Sequence, residues 1–446
     1  YYGLAGIFKS TRTMENFKKV AKWHENVLSS TESKVMQAEY DARVAAKRQA
    51  VEAFVAKADA EVRAGLPEGT KPPEKLEPLY PEATKAELKK LRDELVQLEK
   101  NPPEFPSAMG TTEDKVADEA IHIRGNPLKL GDVVPRHVPV VLRGPAVVTF
   151  FATESGRREL AQWLIDPQHP LTARVLVNRV WRWHFGKGLV ASPDNFGLLG
   201  EAPSHPELLD WLARRFIDGG SSLKSLHRLI LNSATYQQSS TPAAGSAEHD
   251  PENRLFCRAD VRRLEAEAVR DALLAVSGRL DTTMGGTLLA VKNRGYFFDH
   301  TSKDLTDYNS LRRSLYLPVV RNNLYDVFQL LDAPDAAITN GDRATTTVAP
   351  QALLMLNSDF VMQSAAEFAG RVLGAAGDDE SRMQRMYAIA YGREATAEEI
   401  TANRKFLSGL HQTLAGGEPD PTKRQRQAWN VLCHTIVAAN EFIYVR

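Results

Sequence analysis

The chain has 446 residues, of which 43% are hydrophobic and 25% are charged. This is the composition of an ordinary globular protein, and the length predicts two or three domains. The formal net charge is zero, which argues against a dedicated nucleic-acid binder, because such proteins carry a clear basic excess. No apolar stretch reaches the roughly 18 residues of a transmembrane helix, so we predict no transmembrane segment.

The N-terminal quarter of the chain predicts a long helical hairpin. Residues 14–64 are rich in Ala, Lys, Glu and Val and contain no Pro or Gly, which predicts one long helix. A proline-rich connector follows, and Thr84–Glu87 (TKAE) predicts a capping box that opens a second helix ending near Lys100. Residues 1–13 contain neither an initiator Met nor a signal-peptide pattern. We expect them to be the tail of a preceding domain.

The choice of basic residue changes near residue 110. Up to Lys115 there are 14 Lys and 5 Arg, and beyond it there are 7 Lys and 30 Arg. Lysine suits a solvated helix surface, whereas arginine suits fixed, packed contacts. We therefore predict a helical arm over residues 14–110. Residues 111–155 contain short β-branched runs broken by Gly and Pro, which predict a β-containing wrapping segment with a turn at Arg124–Pro127.

Residues 156–446 predict a helical C-terminal domain. Its central helix is expected over Leu171–Phe185, where apolar residues recur at helical spacing, and Gly186 is expected to end it. Two further helices are predicted to begin at capping boxes, Ser204–Glu207 (SHPE) and Thr396–Glu399 (TAEE). The expected fold class is mainly α with a minor β component.

Two more elements are predicted in this domain. Arg262–Arg279 is expected to be a helix whose charged side chains, among them Arg263 and Glu267, have a spacing that allows i,i+4 pairs. Leu315–Val320 (LYLPVV) is expected to be a strand, with Pro318 indicating an edge position.

Polar side chains on and after the central helix form the candidate catalytic site, which consists of Arg174, Asn178, Arg179, His184 and His205. Aromatic rings are expected to wall this site, and the candidate binding residues are Trp181, Trp183, Arg263, Arg343 and Thr346. The alternative is structural. An arginine offers five donors to carbonyl groups at helix ends and can also stack on an indole ring.

Two groups of residues are candidate metal ligands. Asp299, His300, Asp304 and Asp307 form an acidic loop that suits Ca²⁺, and a hydrogen-bonded polar loop is the alternative. Three histidines, His184, His205 and His227, would suit Zn²⁺ if their elements converge.

The two cysteines, Cys257 and Cys433, are expected to be free thiols, with a single disulfide as the alternative. There is no C-x-x-C-H motif, so we predict no c-type haem in this chain. The sequence also lacks a G-x-S-x-G elbow, a P-loop and a dinucleotide fingerprint.

Several segments together carry a resemblance to a known family. These segments are RGNPLKLGDVVPR (124–136), LTARVLVNRVWRWHFGKGLVASPDNFG (171–197), HPELLDWLA (205–213), SLHRLILNSATYQQSS (225–240), DPENRLFCRADVRRLEAEAVRDALLAVSG (250–278), RRSLYLPV (312–319), TTTVAPQALLMLN (345–357) and CHTIVAANEFIYV (433–445). Over residues 116–446 the chain resembles the C-terminal domain of unknown function of the large, exported, cytochrome c-linked proteins of planctomycetes.

The resemblance implies an exported protein located in the periplasm or cell envelope. It also implies a c-type haem on an N-terminal domain that this chain does not contain. Its expected partners are upstream domains of the same polypeptide or complex and a sulfatase-like protein, which points to polysaccharide catabolism. The family brings no accepted catalytic residues, so none is transferred.

The sequence is compatible with three functions. The first is a structural and interaction domain of an electron-transfer protein. The second is an oxidative or hydrolytic enzyme acting on glycans, and the third is a glycan-binding module with a cleft lined by Trp, Arg and His.

Overall fold

The computed structural model describes residues 1–16, 22–28, 30–65, 67, 73, 75–103, 106–143, 148–289, 306–320, 323–375 and 377–445. The described residues are mainly helical with a small strand component, which confirms the predicted fold class. They divide into two compact units, Tyr1–His169 and Pro170–Arg446. The predicted segments 1–13, 14–110, 111–155 and 156–446 are a different division and remain predictions. None of the helices in the described part of the chain is long and apolar enough to cross a bilayer.

The first unit contains four helices and four short antiparallel strand pairs among its described residues. The helices are α1 (Tyr2–Lys9), α2 (Thr31–Ala64), α3 (Glu82–Lys100) and α4 (Arg157–Leu164). The strands are β1 (Thr11–Arg12), β2 (Met14–Asn16), β3 (Lys22–Trp23), β4 (Glu25–Val27), β5 (Ser107–Met109), β6 (Thr112–Glu113), β7 (Glu119–His122) and β8 (Leu130–Val134), paired as β1–β6, β2–β3, β4–β5 and β7–β8.

Helices α2 and α3 pack against each other and form the predicted helical hairpin. A small apolar core of Ala58, Leu76, Tyr80 and Leu88 lies between the helices and their connector. Arg48 on α2 donates to Glu99 on α3 at 2.7 Å. The hairpin therefore has a narrow core and a largely solvated surface.

The prediction of a single helix over residues 14–64 is wrong at its N-terminal end, because α2 begins only at Thr31. Residues before it form β2, β3 and β4 instead, and β4 pairs with β5, about 80 residues further along the chain. The Ser30 hydroxyl accepts a hydrogen bond from the Ser33 backbone N–H at 2.9 Å and caps α2. The absence of Pro and Gly permits a helix there, but strand pairing, which is local for β2–β3 and long-range for β4–β5, decides the structure.

The predicted capping box at Thr84 is also wrong. Helix α3 begins at Glu82 after Pro81, so Thr84 lies inside the first turn of the helix. The predicted turn at Arg124–Pro127 is confirmed, since it joins β7 to β8. Arg124 has φ 55°, a left-handed conformation that is uncommon outside glycine.

The second unit is a helical domain with one short strand pair in its described part. Its helices are α5 (Thr172–Phe185), α6 (Pro206–Asp218), α7 (Leu223–Leu231), α8 (Ser246–His249), α9 (Ala266–Ser277), α10 (Asp326–Leu330), α11 (Ala349–Asn357), α12 (Asp359–Leu373), α13 (Asp379–Tyr391), α14 (Ala397–Leu414), α15 (Pro421–Val437) and α16 (Asn440–Ile443). The strands are β9 (Arg262–Arg263) and β10 (Tyr444–Val445), which pair antiparallel.

Two apolar clusters hold this unit together. One is built by α5, α6 and α7 around Val177, Val180 and Leu212. The other and larger one is built mainly by α9, α12, α13 and α15 around Phe368 and Trp429, both of which are fully buried. The end of α5 lies at the edge of the first cluster, and the start of α9 lies at the edge of the second. Both places carry charged side chains.

Three expectations for this unit need correction. Helix α6 begins at Pro206 with His205 at its N-cap and no side-chain cap bond, so there is no capping box at Ser204. The expected helix over Arg262–Arg279 begins only at Ala266, because β9 pairs with β10. Leu315–Val320 is not a strand, since a 3₁₀ turn occupies Ser314–Tyr316.

The expected i,i+4 pairs at the start of α9 do not form either. Arg263 and Glu267 bind other partners, described below, and the buried Arg270 donates to the carbonyl of Arg312 at 3.0 Å. By contrast, the capping box at Thr396 is confirmed, because Thr396 and Glu399 exchange both of its hydrogen bonds.

Candidate functional site

Helix α5 carries most of the predicted site residues, and its predicted bounds are confirmed to within one residue. It ends at Gly186, whose φ of 84° favours glycine. A Cβ at this position would lie 2.6 Å from Cδ of Arg262. Glycine is thus required both by the backbone conformation and by the close approach of an arginine.

Two of the predicted catalytic residues form structural ties. Asn178 is fully buried, and its amide donates to the Val190 carbonyl at 3.0 Å and accepts from the Val190 N–H at 2.8 Å. Arg174 donates to Asp210 on α6 and to the carbonyl of Pro170, both at 2.5 Å. The Asp210 hydrogen bond raises the pKa of Arg174. These contacts fix α5 to its neighbours.

Two other predicted catalytic residues, Arg179 and His205, take no part in these contacts. Arg179 is exposed on α5 and has no hydrogen bond or ion pair within the described residues. His205 lies at the start of α6, where its Nδ1 is 3.0 Å from the Ser204 hydroxyl and its ring packs near Phe256. Their assignment to a catalytic site remains a prediction.

His184 is close to a second histidine. Its Nε2 lies 2.7 Å from Nδ1 of His227 on α7, and the ring of Tyr236 packs edge-on at 5.6 Å. One imidazole must donate and the other must accept, so this hydrogen bond requires at least one neutral ring. Burial lowers the pKa of His184, and the charges of His227 and Arg262 lower it further.

The metal predictions have separate outcomes. Asp299, His300 and Asp304 lie outside the described residues, and Asp307 accepts a hydrogen bond from the Asn309 N–H at 2.8 Å. Among the described residues, no three His, Cys, Asp or Glu side chains converge in a way that could hold a metal ion. Of the three histidines predicted to suit Zn²⁺, His184 and His227 are in contact, whereas His205 contacts Ser204.

Both cysteines are free thiols, as expected. Cys433 is buried in the larger apolar cluster, and burial raises the pKa of its thiol. A neutral thiol in such surroundings is unreactive. Cys257 lies 3.3 Å from the side-chain oxygen of Asn253.

The two tryptophans of α5 have opposite environments. Trp181 is buried and stacks on Phe185, with ring centroids 4.2 Å apart. Trp183 is 59% exposed. The structure therefore puts Trp181 in the core and leaves Trp183 accessible to a ligand.

Trp183 lines a cleft of about 810 Å³ within the second unit, which we name the arginine cleft. Its walls are the C-terminal end of α5, β9 with the start of α9, the segments Leu331–Asp332 and Arg343–Thr345, Thr347, and β10. The predicted binding residues Trp183, Arg263 and Arg343 line it. Thr346 belongs to the network described next.

Asp332 is the centre of a hydrogen-bonded network in this cleft. It accepts from Arg263 at 2.7 Å, from the backbone N–H of Thr346 at 2.8 Å and from the amide of Gln351 at 3.2 Å. Burial by itself raises the pKa of Asp332, but the hydrogen bonds of Thr346 and Arg263 outweigh it and lower the pKa. Asp332 also has φ 62°, a conformation that Asp tolerates better than most residues.

The guanidinium of Arg263 is almost fully buried, with 3% of its side chain exposed. Besides Asp332, it donates to the carbonyls of Leu331 at 3.1 Å and Thr346 at 2.7 Å. One side chain therefore binds three acceptor groups from two segments of the chain.

Arg343 and Arg182 each bind a carboxylate as well. Arg343 is bidentate to Glu267, with N–O distances of 2.7 and 3.1 Å, and its pKa is raised by that bond. Arg182 forms an ion pair with Asp342, and burial lowers its pKa. The charge on Glu267 is stabilised by Arg343 against the effect of burial.

Three residues that line this cleft, Arg182, Arg262 and Asp332, were not among the predicted site residues, and neither was Glu267, the partner of Arg343. Arg182 shares one helical stripe with Arg174 and Asn178, so its helix position could have indicated it. Asp332 and Asp342 lie 69 residues from Arg263 and 160 residues from Arg182, respectively. No local pattern connects residues at such distances.

Residues 156–407, more than half of the chain, match the family described as "PSD1: Protein of unknown function (DUF1553)". The chain belongs to this family. No curated protein and no solved structure matches it.

Proposed function

We propose that this chain is a structural and interaction domain of an exported, cytochrome c-linked multidomain protein that serves electron transfer in polysaccharide catabolism. Its partners would be upstream domains of the same polypeptide or complex, which carry the c-type haem, and a sulfatase-like protein. The resemblance of residues 116–446 to the C-terminal domains of such proteins motivates the haem, the export and the pathway.

One structural observation supports a structural role for the predicted site residues. The arginine-rich part of the second unit uses its side chains to connect its own elements. Arg263 joins β9 to Asp332 and Thr346, Arg174 joins α5 to α6, and the amide of Asn178 holds the chain beyond α5. A buried guanidinium that is bound to a carboxylate and two carbonyls has few donors left for a substrate.

The test compares a buried arginine with an exposed one. We expect Arg263→Ala to lower the free energy of unfolding by about 3–5 kcal/mol, because it leaves the Asp332 carboxylate without its cation. Arg179→Ala should change it by less than about 0.5 kcal/mol, because Arg179 is exposed. Urea unfolding followed by circular dichroism gives both values.

The double variant Arg263→Ala/Asp332→Asn is the control for this pair. It should lose less stability than the sum of the two single variants, since each single change already breaks the pair. An Arg263→Ala protein of wild-type stability would contradict the structural role.

A glycan-binding module or glycan-active enzyme is the second candidate function, and the exposed indole of Trp183 in the arginine cleft favours it. Flat indole faces and polar hydrogen-bonding groups are suited to sugar rings, whose two faces are apolar and whose edges are polar. If this function holds, Trp183→Ala should weaken binding of cello-oligosaccharides in a fluorescence titration. Trp211→Ala is the matched control, because Trp211 is similarly exposed and does not line the cleft.

A further inference from the structure

Arg262 differs from the other basic residues of the arginine cleft. The cleft is lined by five cationic side chains: Arg182, Lys187, Arg262, Arg263 and Arg343. Four of them have a carboxylate partner, which is Asp342, Asp260, Asp332 and Glu267, respectively. Arg262 has no carboxylate partner within the described part of the chain.

The guanidinium of Arg262 is held in position by two contacts. Its Nη1 donates to the Trp183 carbonyl at 3.1 Å, and its aliphatic stem passes close over Gly186. Of the five N–H donors of this group, that hydrogen bond uses one. A half-buried cation with free donors is suited to a carboxylate or sulfate oxygen, which it can bind in a bidentate manner.

The surroundings of Arg262 offer further groups to a ligand. The indole of Trp183 is exposed, and Thr345 and Thr347 line the same cleft. The first residues of α9 line it too, and this helix has no side-chain cap. The partial positive charge of a helix N-terminus adds to the attraction for an anion.

Among the described residues, three carboxylates line the cleft: Asp260 and Asp332, which are paired with Lys187 and Arg263, and Glu265. Glu265 lines the cleft and lies 3.3 Å from Arg343, whose guanidinium is already bidentate to Glu267. More than half of the Glu265 side chain is exposed, so solvent screens its charge. Glu265 therefore weakens the attraction for an anion without neutralising Arg262.

We propose that the arginine cleft binds a sugar-sized ring that carries an oxyanion, with Arg262 holding the oxyanion and Trp183 packing on the ring. This inference rests on the second candidate function, ligand binding in the same cleft, and it adds the chemical class of the ligand. Arg262 becomes the residue that distinguishes an acidic ligand from a neutral one.

A matched pair of ligands tests the proposal on the full chain. Methyl β-D-glucuronide and methyl β-D-glucopyranoside share the ring and differ in the carboxylate, and tryptophan fluorescence follows their titration. We expect the glucuronide to bind at least about tenfold more tightly, because its carboxylate adds a charge-assisted hydrogen bond to the guanidinium of Arg262. Arg262→Gln should abolish that preference, and Glu265→Gln should increase it.

The control variant is Arg228→Gln, which removes an exposed arginine on α7 outside the cleft and should leave the preference unchanged. Circular dichroism melting shows whether each variant is folded. Arg262→Lys, which keeps the charge, should retain part of the preference.

Equal binding of the two ligands, or an unchanged preference in Arg262→Gln, would overturn the oxyanion site and leave ligand binding in the cleft intact. Binding of neither ligand would overturn the second candidate function together with this inference.

Discussion

At the scale of single residues, burial decides what each polar side chain of α5 does. Asn178 is enclosed and binds backbone on both sides, whereas Arg179, one position further, points to solvent. Buried amides must be hydrogen-bonded, because an unpaired one costs about 1–3 kcal/mol. Neighbours in the sequence can therefore differ completely in role, and a sequence list of polar residues cannot separate them.

The contact of His184 with His227 predicts a dependence of stability on pH. The pKa of His184 is lowered by burial, by His227 and by Arg262. The unfolded chain therefore takes up a proton at His184 at a higher pH than the folded chain does. As the pH falls through the ordinary histidine range, near about 6.5, the free energy of unfolding should fall, and this contribution should level off below the folded pKa.

Urea unfolding between neutral and mildly acidic pH measures this slope. His184→Gln should flatten it, and His249→Gln, which removes an exposed histidine, should not. The interpretation would fail if the slope of His184→Gln equalled that of the wild type.

At the scale of elements, the helical hairpin depends on a narrow core. Leu88 is 3% exposed and is one of four buried residues between α2, α3 and their connector. We expect Leu88→Ala to destabilise the hairpin by about 2–5 kcal/mol, since it removes buried methyl groups and leaves a cavity.

Amide hydrogen exchange resolves this change by element. Protection should fall within α2 and α3 in Leu88→Ala. Val96→Ala on the same helix is the matched control, because Val96 is 40% exposed and should have a much smaller effect. Unchanged protection in Leu88→Ala would contradict the assignment of this core.

The elements also show which features a sequence can predict. The bounds of α5 were predictable, because apolar residues at helical spacing and a glycine at the end are local signals. The start of α9 was not, because β9 pairs with β10 more than 180 residues away. Strand β4 was not predicted for the same reason, since it pairs with β5 across the whole hairpin.

The candidate site was predictable only in part. Trp183, Arg263 and Arg343 were named and do line one cleft. The ion pairs that these arginines form, Arg263 with Asp332 and Arg343 with Glu267, were not predicted, because such pairs depend on tertiary packing and leave no pattern in the sequence. Arg262 was not predicted for a related reason. It differs from the other cations of the cleft because it has no carboxylate partner among the described residues, and this difference also depends on tertiary packing.

At the scale of the whole molecule, membership in a family of unknown function supplies no reaction. The domains or subunits that accompany the chain therefore distinguish the candidate functions. If the proposed function holds, the chain should be isolated from its native source together with a haem-carrying domain or subunit, in one polypeptide or one complex. An independent enzyme or binding module would not need to be isolated together with a haem-carrying domain or subunit.

The most direct test is absorption spectroscopy combined with intact mass on the protein purified from its native source. The account predicts a haem Soret band, carried either by a polypeptide with a mass well above the 49.5 kDa of this chain or by a copurifying subunit. A mass near 49.5 kDa without a Soret band or a haem-carrying partner would contradict it.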